Sequence, residues 1–231
     1  MRTMKRTRRH IAGTLCAVSL AGILCPSLSC CTTDAYDKGD GTYSLMEAEM
    51  ANVHVDGNLR ADYMVTDDGE RLAVANPFSA AWMSTPDSTY RAVAYFVRDD
   101  GGSEVKGLNR VGVATPKKIE GMKSDPVRFE SVWMGRTGEY LNICIYVLTG
   151  TADDEGAVQT LGCNDDTLTA NADGSHTQRL TLYHDQGGVP EYYSQRTYVS
   201  IPLAGIHADS VSIAVNTYAG RVEKTLPTAR E

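Results

Sequence analysis

The chain has 231 residues, with 22 Lys and Arg against 29 Asp and Glu, and a hydrophobic fraction of 42% that is ordinary for a globular protein. Without residues 1–29, which hold five of the basic residues, 17 basic residues remain against the 29 acids, a net charge of about −12. This excess of acid argues against nucleic acid as a partner, because such binding depends on Lys and Arg. It also argues against a folded domain that lies on anionic lipid.

Residues 1–29 have the pattern of a bacterial lipoprotein signal peptide. Five basic residues precede a 14-residue apolar run, and small residues follow up to Cys30. The order is typical of an export signal, and the run is shorter than the roughly 20 residues of a membrane-spanning helix. Ser27-Leu28-Ser29-Cys30-Cys31 resembles a lipobox, which predicts acylation of Cys30 or alternatively Cys31. Ordinary secretion and a retained membrane anchor are the alternatives.

The signal predicts a lipid-anchored protein of the outer membrane or cell envelope, on either the periplasmic or the surface side. The lipid would be its contact with the membrane, because each buried CH₂ of an acyl chain contributes about 0.8 kcal/mol. Residues 30–42 are acidic, small and Gly-containing, and they predict a flexible tether.

Residues 43–120 predict a small OB-like β-barrel of about five strands. Alternating patterns predict strands at 49–55 and 90–97, and two more at 61–75 around an Asp-Gly hairpin turn. We assign Val111 and Val113 to the strand that returns from the turn at residues 99–102. A short helix is predicted at 80–84, and Pro-containing segments place a domain boundary near Glu120.

Residues 121–227 predict an antiparallel β-sandwich of about seven strands. Strands are predicted at 129–133, 140–148 and 178–184, and others contain Thr197, Val199 and Ile201 or Val211, Ile213 and Val215. Period 2 places Leu141, Ile143, Ile145 and Val147 on one buried face. Residues 149–176 are rich in Asp, Gly, Asn and Thr and predict a long loop or irregular hairpin. The predicted fold class is therefore all-β.

One segment resembles a known family. Residues 182–193 read Leu-Tyr-His-Asp-Gln-Gly-Gly-Val-Pro-Glu-Tyr-Tyr. The resemblance also draws on Tyr-Val-Ser-Ile-Pro-Leu at 198–203, Val-Asn-Thr-Tyr at 215–218 and the strand at 133–147. Together they resemble the NigD-like lipoproteins of Bacteroides-type bacteria. The resemblance implies an N-terminal OB-like domain, a C-terminal β-sandwich and a role in bacteriocin immunity proposed by genetic association. It implies no catalytic residues.

The sequence carries no hydrolase, metalloprotease or phosphate-loop motif, so no catalytic residue, metal or cofactor is predicted. His184-Asp185 could serve as a general base, but its place before a Gly-Gly turn predicts a solvated structural pair. The pairs Asp67-Asp68, Asp99-Asp100 and Asp165-Asp166 are predicted to be solvated hairpin tips. Residues 169–174 depart from a calcium loop at its first and last ligand positions and predict an acidic turn.

Two further features bear on structure and binding. Cys144 and Cys163 either form one disulfide, or Cys144 is a small buried hydrophobe. A cluster of tyrosines at 183–198 predicts a recognition surface, since each ring offers a large area and a polar tip; the alternative is that some are core rings. The cluster comprises Tyr183, Tyr192, Tyr193 and Tyr198.

These observations favour a non-enzymatic envelope lipoprotein that binds a protein or glycan. Bacteriocin immunity is the first alternative and an envelope hydrolase the second.

Overall fold

A computed structural model describes residues 45–99, 102–152 and 156–228, and these residues fall in one compact unit. The predicted signal peptide, the acylation sites Cys30 and Cys31 and the tether lie outside the described residues. The described residues form thirteen β-strands and no α-helix, and so contain no helix that is long and apolar enough to cross a membrane. The predicted all-β fold class is confirmed.

The first half is the predicted OB-like barrel. Its strands are β1 (Glu47–Val55), β2 (Ala61–Thr66), β3 (Arg71–Ala73), β4 (Ser88–Asp99) and β5 (Gly102–Arg110), and they form one antiparallel sheet in the order β3-β2-β1-β4-β5. The sheet curls until its edges meet, where Val74 pairs with Ser103 and the Ala75 amide donates to the Ser103 carbonyl at 3.0 Å. Alternate β1 residues, Ala51, Val53 and Val55, face the barrel core, while Met50 faces outward.

Two local predictions in this half are wrong. Residues 80–84 form a single turn, in which the Met83 amide donates to the Ala80 carbonyl, rather than a helix. Phe78, Ala80 and Trp82 all pack on the barrel core, and a spacing of two suits extended chain better than a helix. The returning strand β5 ends at Arg110, so neither Val111 nor Val113 belongs to it.

The second half is a β-sandwich of two four-stranded sheets. Its strands are β6 (Gly112–Val113), β7 (Arg128–Met134), β8 (Tyr140–Thr149), β9 (Thr160–Ala170), β10 (His176–Asp185), β11 (Tyr193–Pro202), β12 (Ser210–Thr217) and β13 (Gly220–Pro227). One sheet has the order β13-β12-β10-β9 and the other β6-β11-β8-β7. Most neighbours are antiparallel, but β10–β12 and β6–β11 are parallel. Because β6 pairs with β11, Val113 lies in the sandwich sheet. The boundary near Glu120 stays a prediction.

The sandwich core forms where the alternating pattern placed it. Leu141, Ile143, Ile145 and Val147 of β8 are buried between the sheets. Inward residues of β10, β11 and β12 complete the core; they are Leu180, Leu182, Val199, Ile201, Val211, Ile213 and Val215. Strand β8 is unusual because Asn142 and Cys144, on its opposite face, are also fully buried. That second face lies toward the barrel.

Of the two alternatives for residues 149–176, the long loop is wrong at Thr160–Ala170, which forms the eleven-residue strand β9. Strand β9 pairs with β10 as an irregular hairpin. Strand β9 is an edge strand with only Cys163 fully buried, so its sequence lacks an apolar alternation. A register shift opposite Arg179 and Leu180 disturbs the period further. The loop prediction failed because the strand's polar residues are paired within the sheet.

Candidate functional site

The site is built from the two faces that meet between barrel and sandwich. Strand alternation places Trp133 of β7, Cys144 of β8 and Tyr198 of β11 on the side of the sheet that faces away from the sandwich core. Met50 and Val93 approach from the outer face of the barrel, and Val111 joins them in a small buried cluster. The rings of Trp133 and Tyr198 pack edge to face at 6.4 Å.

A buried polar network fastens the two halves beneath this cluster. The Arg91 guanidinium donates to Ser200 Oγ at 3.0 Å and to Asn142 Oδ1 at 3.1 Å, and it pairs with Asp67 Oδ1 at 2.6 Å. Asn142 Nδ2 donates to Asp67 Oδ2 at 2.7 Å, and Ser200 Oγ donates to Asn142 Oδ1 at 2.7 Å. The Arg91 side chain is only 2% exposed. We call these four residues the Arg91 network.

The network corrects the prediction that Asp67-Asp68 is a solvated tip. Asp68 is exposed, but Asp67 is only 14% exposed at its side chain and pairs with Arg91. Its carbonyl also accepts the Thr137 amide at 3.0 Å, and a Cβ on Gly135 would stand 2.9 Å from its carboxylate. The turn itself forms as predicted, with Gly69 at φ 83°. Its solvation was misjudged because the covering loop comes from the other half of the chain.

Above the network opens a cleft of about 610 Å³, which we call the interface cleft. Barrel residues form one side and sandwich residues the other. Its lining is Ala48, Glu49, Met50, Asp67, Asp68, Val93, Tyr95, Ser131, Trp133, Met134, Gly135, Arg196 and Tyr198. A neighbouring cleft of about 460 Å³ shares Tyr95, Arg196 and Tyr198 with it. Large aromatic and sulfur-containing surfaces beside a few polar groups are typical of a binding site.

The charges around the interface cleft are unevenly compensated. Arg196 pairs with both carboxylate oxygens of Glu130, and this interaction lowers the pKa of Glu130. Glu49 stands 3.9 Å from the Arg98 guanidinium. Burial, with the negative charge of Asp68 next in size, raises the pKa of Glu49. Glu130 thus compensates the positive charge of Arg196, and the cation beside Glu49 is the more distant Arg98.

His184 is buried rather than solvated as predicted, with 1% of its surface exposed. Its Nδ1 lies 2.9 Å from the Asp125 carbonyl oxygen and its Nε2 lies 3.1 Å from Gln159 Nε2. Asp185 instead pairs with Lys123 at 2.7 Å. The segment around residue 124 covers the imidazole by bridging to β10. Both groups of the predicted pair are thus engaged in structural contacts.

The structure places the four predicted binding tyrosines in separate environments. Tyr192 and Tyr193 are 78% and 58% exposed at one end of the sandwich. Tyr183 is half-buried in β10, in the other sheet, beside Gly162. Tyr198 is half-buried and lines the interface cleft. Their binding role stays a prediction; Tyr198 shares the interface cleft with Tyr95 and Trp133.

The remaining candidates are structural in their contacts. Asp165 and Asp166 lie within β9, not at a hairpin tip, and accept hydrogen bonds from Gln178 and Thr181 at 2.6 Å each. Asp99 starts the β4–β5 hairpin, and Asp100 lies outside the described residues. At 171–175 the chain forms a tight hairpin in which Asp173 bonds Ser175. No three His, Cys, Asp or Glu of the described part group closely enough to hold a metal ion.

Cys144 and Cys163 are both free thiols. Cys163 lies in the sandwich core, whereas Cys144 lies on the opposite face of its sheet, 3.3 Å from Arg196 Nε and 3.4 Å from Glu130 Oε2. Of the two alternatives, the structure has the buried thiol and not the disulfide. Desolvation raises the pKa of both thiols.

The sequence analysis did not identify Arg91 of the network or Trp133 of the cleft. Arg91 gave no local signal, because its partners Asn142 and Ser200 are 51 and 109 residues away. Trp133 did give a local sequence signal, since its neighbours Val132 and Met134 pack on the sandwich core. Period 2 then turns the indole outward, and a large outward aromatic residue marks a contact surface.

Known proteins share the β-sandwich domain and the overall fold of this chain. Residues 111–227 match the model of the NigD-like C-terminal beta sandwich domain. A search of curated proteins finds no match. Among solved structures, the chain is similar to a NigD-like immunity protein from Bacteroides caccae, with 23% identity and a TM-score of 0.57 over 77% of this chain and 91% of that one.

Two other solved structures share the fold at lower identity. A protein from Parabacteroides distasonis, provisionally described as toxin-related, has 19% identity and a TM-score of 0.57 over 80% of this chain and 94% of its own. A protein from Bacteroides fragilis, provisionally described as a lipoprotein, has 10% identity and a TM-score of 0.55 over 78% of this chain and 96% of its own. At these identities the likeness concerns the fold.

Proposed function

Since the chain belongs to the NigD-like family, we propose that it is a non-enzymatic, lipid-anchored envelope protein that binds a partner in the interface cleft. The observation that carries the proposal is the cleft itself, in which Tyr95, Trp133 and Tyr198 line a cavity of about 610 Å³. Aromatic residues are enriched where proteins bind one another. The Arg91 network below fixes the two walls, so the cleft is formed before a partner arrives.

The envelope location is supported by the lipobox-like signal and by the B. fragilis relative described as a lipoprotein. The non-enzymatic role is supported by the contacts of the candidate catalytic groups. The His184 ring nitrogens lie within hydrogen-bonding distance of Asp125 and Gln159, and the Cys144 thiol lies between Arg196 and Glu130. Both groups are fully buried and engaged in these contacts.

The binding role is tested by site-specific photo-cross-linking in the native bacterium. A benzophenone amino acid at Ser131, which lines the cleft, should yield a discrete cross-linked species on illumination. The same group at Thr167, an exposed residue of β9, is the matched control and should not. Cross-linking from neither position, or equally from both, would refute binding in the cleft. Protease treatment of intact cells in parallel distinguishes a surface from a periplasmic orientation.

Bacteriocin immunity is the second candidate. The observation that favours it is the shared fold with the B. caccae protein described as a NigD-like immunity protein. Cells that lack the gene should become sensitive to a toxin made by a neighbouring strain, and the wild-type gene should restore survival. Unchanged survival against toxin-producing neighbours would count against this role while leaving partner binding in the cleft intact.

A further inference from the structure

We propose that the interface cleft receives the side chain of an arginine or lysine from a basic segment of a partner protein. The inference rests on the proposed function, because it names the chemical class of the partner that the cleft binds. The charges that line the cleft, its aromatic wall and the net charge of the chain all favour such a ligand.

The cations near the cleft are already engaged by carboxylates. Arg196 pairs with Glu130, and Arg91 pairs with Asp67. Arg98 is bonded by Glu47 at 2.8 Å and by Glu70 at 2.5 Å.

Two carboxylates of the lining are less well compensated. Glu49 lies at 3.9 Å from Arg98, which two closer acids share. Asp68 lies 3.5 Å from Arg136, whose side chain is 79% exposed and therefore strongly screened by water. Burial, and after it the charge of Asp68, raises the pKa of Glu49 more than the attraction of Arg98 lowers it. A cationic ligand would supply the missing charge.

The aromatic wall suits the rest of such a side chain. Met50 and the rings of Trp133 and Tyr198 offer apolar contact for the methylene stem, while the charged head is attracted to aromatic faces and carboxylates. The chain repeatedly uses this pairing internally. The guanidinium carbon of Arg128 lies 3.7 Å from the ring centroid of Tyr146, and that of Arg91 lies 4.1 Å from the ring centroid of Tyr140.

A basic protein segment fits better than a neutral glycan. The predicted mature chain carries a net charge of about −12, and such a field steers basic partners toward the surface. A neutral sugar could stack on Trp133, but it would bring no positive charge to Glu49 and Asp68.

The test uses the mature chain purified in detergent and labelled with 5-fluorotryptophan. The sequence has two tryptophans: Trp133 in the cleft and Trp82, which packs beside Tyr90 in the barrel and serves as the internal control. The probe is acetyl-Gly-Arg-Gly-amide, and its uncharged isostere contains citrulline in place of arginine. We expect the arginine peptide to shift the Trp133 fluorine resonance and to leave the Trp82 resonance in place. The citrulline peptide should bind at least tenfold more weakly.

Matched variants locate the charge effect. Glu49→Gln combined with Asp68→Asn should weaken binding of the arginine peptide at least tenfold. Glu120→Gln combined with Glu191→Gln removes the same charge from exposed positions outside the cleft lining and should change affinity less than twofold. Equal losses in the two double variants, or equal binding of both peptides, would overturn the proposal.

Failure of this inference differs from failure of the proposed function. If Ser131 still cross-links a partner in cells while the acidic double variant has no effect on that cross-link, the cleft binds something other than a basic segment. A shift of Trp133 by maltoheptaose, with no shift by the arginine peptide, would assign the cleft to a glycan. Loss of cross-linking from Ser131 would remove the proposed function itself.

Discussion

Replacing Arg91 by alanine is the most direct test of how the barrel is fastened to the sandwich. The side chain is 2% exposed and reaches Asp67 at 2.6 Å, Ser200 at 3.0 Å and Asn142 at 3.1 Å. Truncation leaves the Asp67 carboxylate without its cation and removes one donor each from Ser200 Oγ and Asn142 Oδ1. Removing one partner of a buried ion pair costs about 3–5 kcal/mol. For a chain of this size, about 2–4 °C per kcal/mol gives a fall in Tm of about 6–20 °C.

The assay is urea unfolding of the mature chain, followed by circular dichroism and tryptophan fluorescence. Arg98→Ala is the matched control, because Arg98 lies on the same strand and contacts three carboxylates but is 37% exposed. Exposed pairs contribute about 0–1 kcal/mol. A double-mutant cycle with Asp67→Asn should give a coupling energy within about 0.5–3 kcal/mol. If Arg91→Ala costs no more than Arg98→Ala, the network does not hold the two halves together.

Three further predictions concern individual positions. His184→Ala should lower the free energy of unfolding by about 1–3 kcal/mol, because the Asp125 carbonyl loses a buried partner. Replacing the exposed His207 by alanine is the control and should change this free energy by less than about 0.5 kcal/mol. Equal effects of the two substitutions would contradict the burial of His184. Burial raises the pKa of Cys163 to about 12, so iodoacetamide at pH 8 should leave this thiol unmodified until urea unfolds the chain. Mass spectrometry of the peptide that contains Cys163 measures the modification. Labelling of the native chain would be inconsistent with the burial of this thiol. Gly187→Ala should lower the free energy of unfolding by about 2–5 kcal/mol, because φ is 56° and a Cβ would stand 2.0 Å from the Val158 carbonyl oxygen. Gly174→Ala is the control, since φ is 86° but the space around the residue is open, and it should lower this free energy by only about 1–2 kcal/mol in the same urea assay.

The fold could be predicted where one face of a strand is apolar. Leu141 to Val147 alternate because one side of β8 packs in the sandwich core, so period 2 identifies the strand. Strand β9 escaped prediction because only Cys163 of its residues is fully buried. Val113 was assigned to the wrong sheet because alternation identifies a strand but not its neighbour. Pairing partners depend on tertiary contacts that a local pattern does not encode.

The candidate site was harder to predict than the fold. Turn chemistry correctly placed a hairpin at Asp67–Gly69, but the loop that covers Asp67 comes from residues 135–137 in the other half of the chain. His184 was expected in water for the same reason, because the covering segment near residue 124 is distant in sequence. Local signals gave the positions of these side chains in their strands and turns. Their burial was set by segments that no local signal connects.

The parallel pairing of β10 with β12 has a consequence for how the chain folds. Thr177 pairs with Ser210, and β11, which lies between them in sequence, belongs to the opposite sheet. The chain must therefore cross the sandwich and return before β10 gains its second neighbour. Until then β10 presents an open edge beside Leu180 and Leu182, a template for pairing with another molecule. Such non-local closure is slow, in the range of milliseconds to seconds, so the unfinished sandwich is the species most exposed to aggregation during refolding.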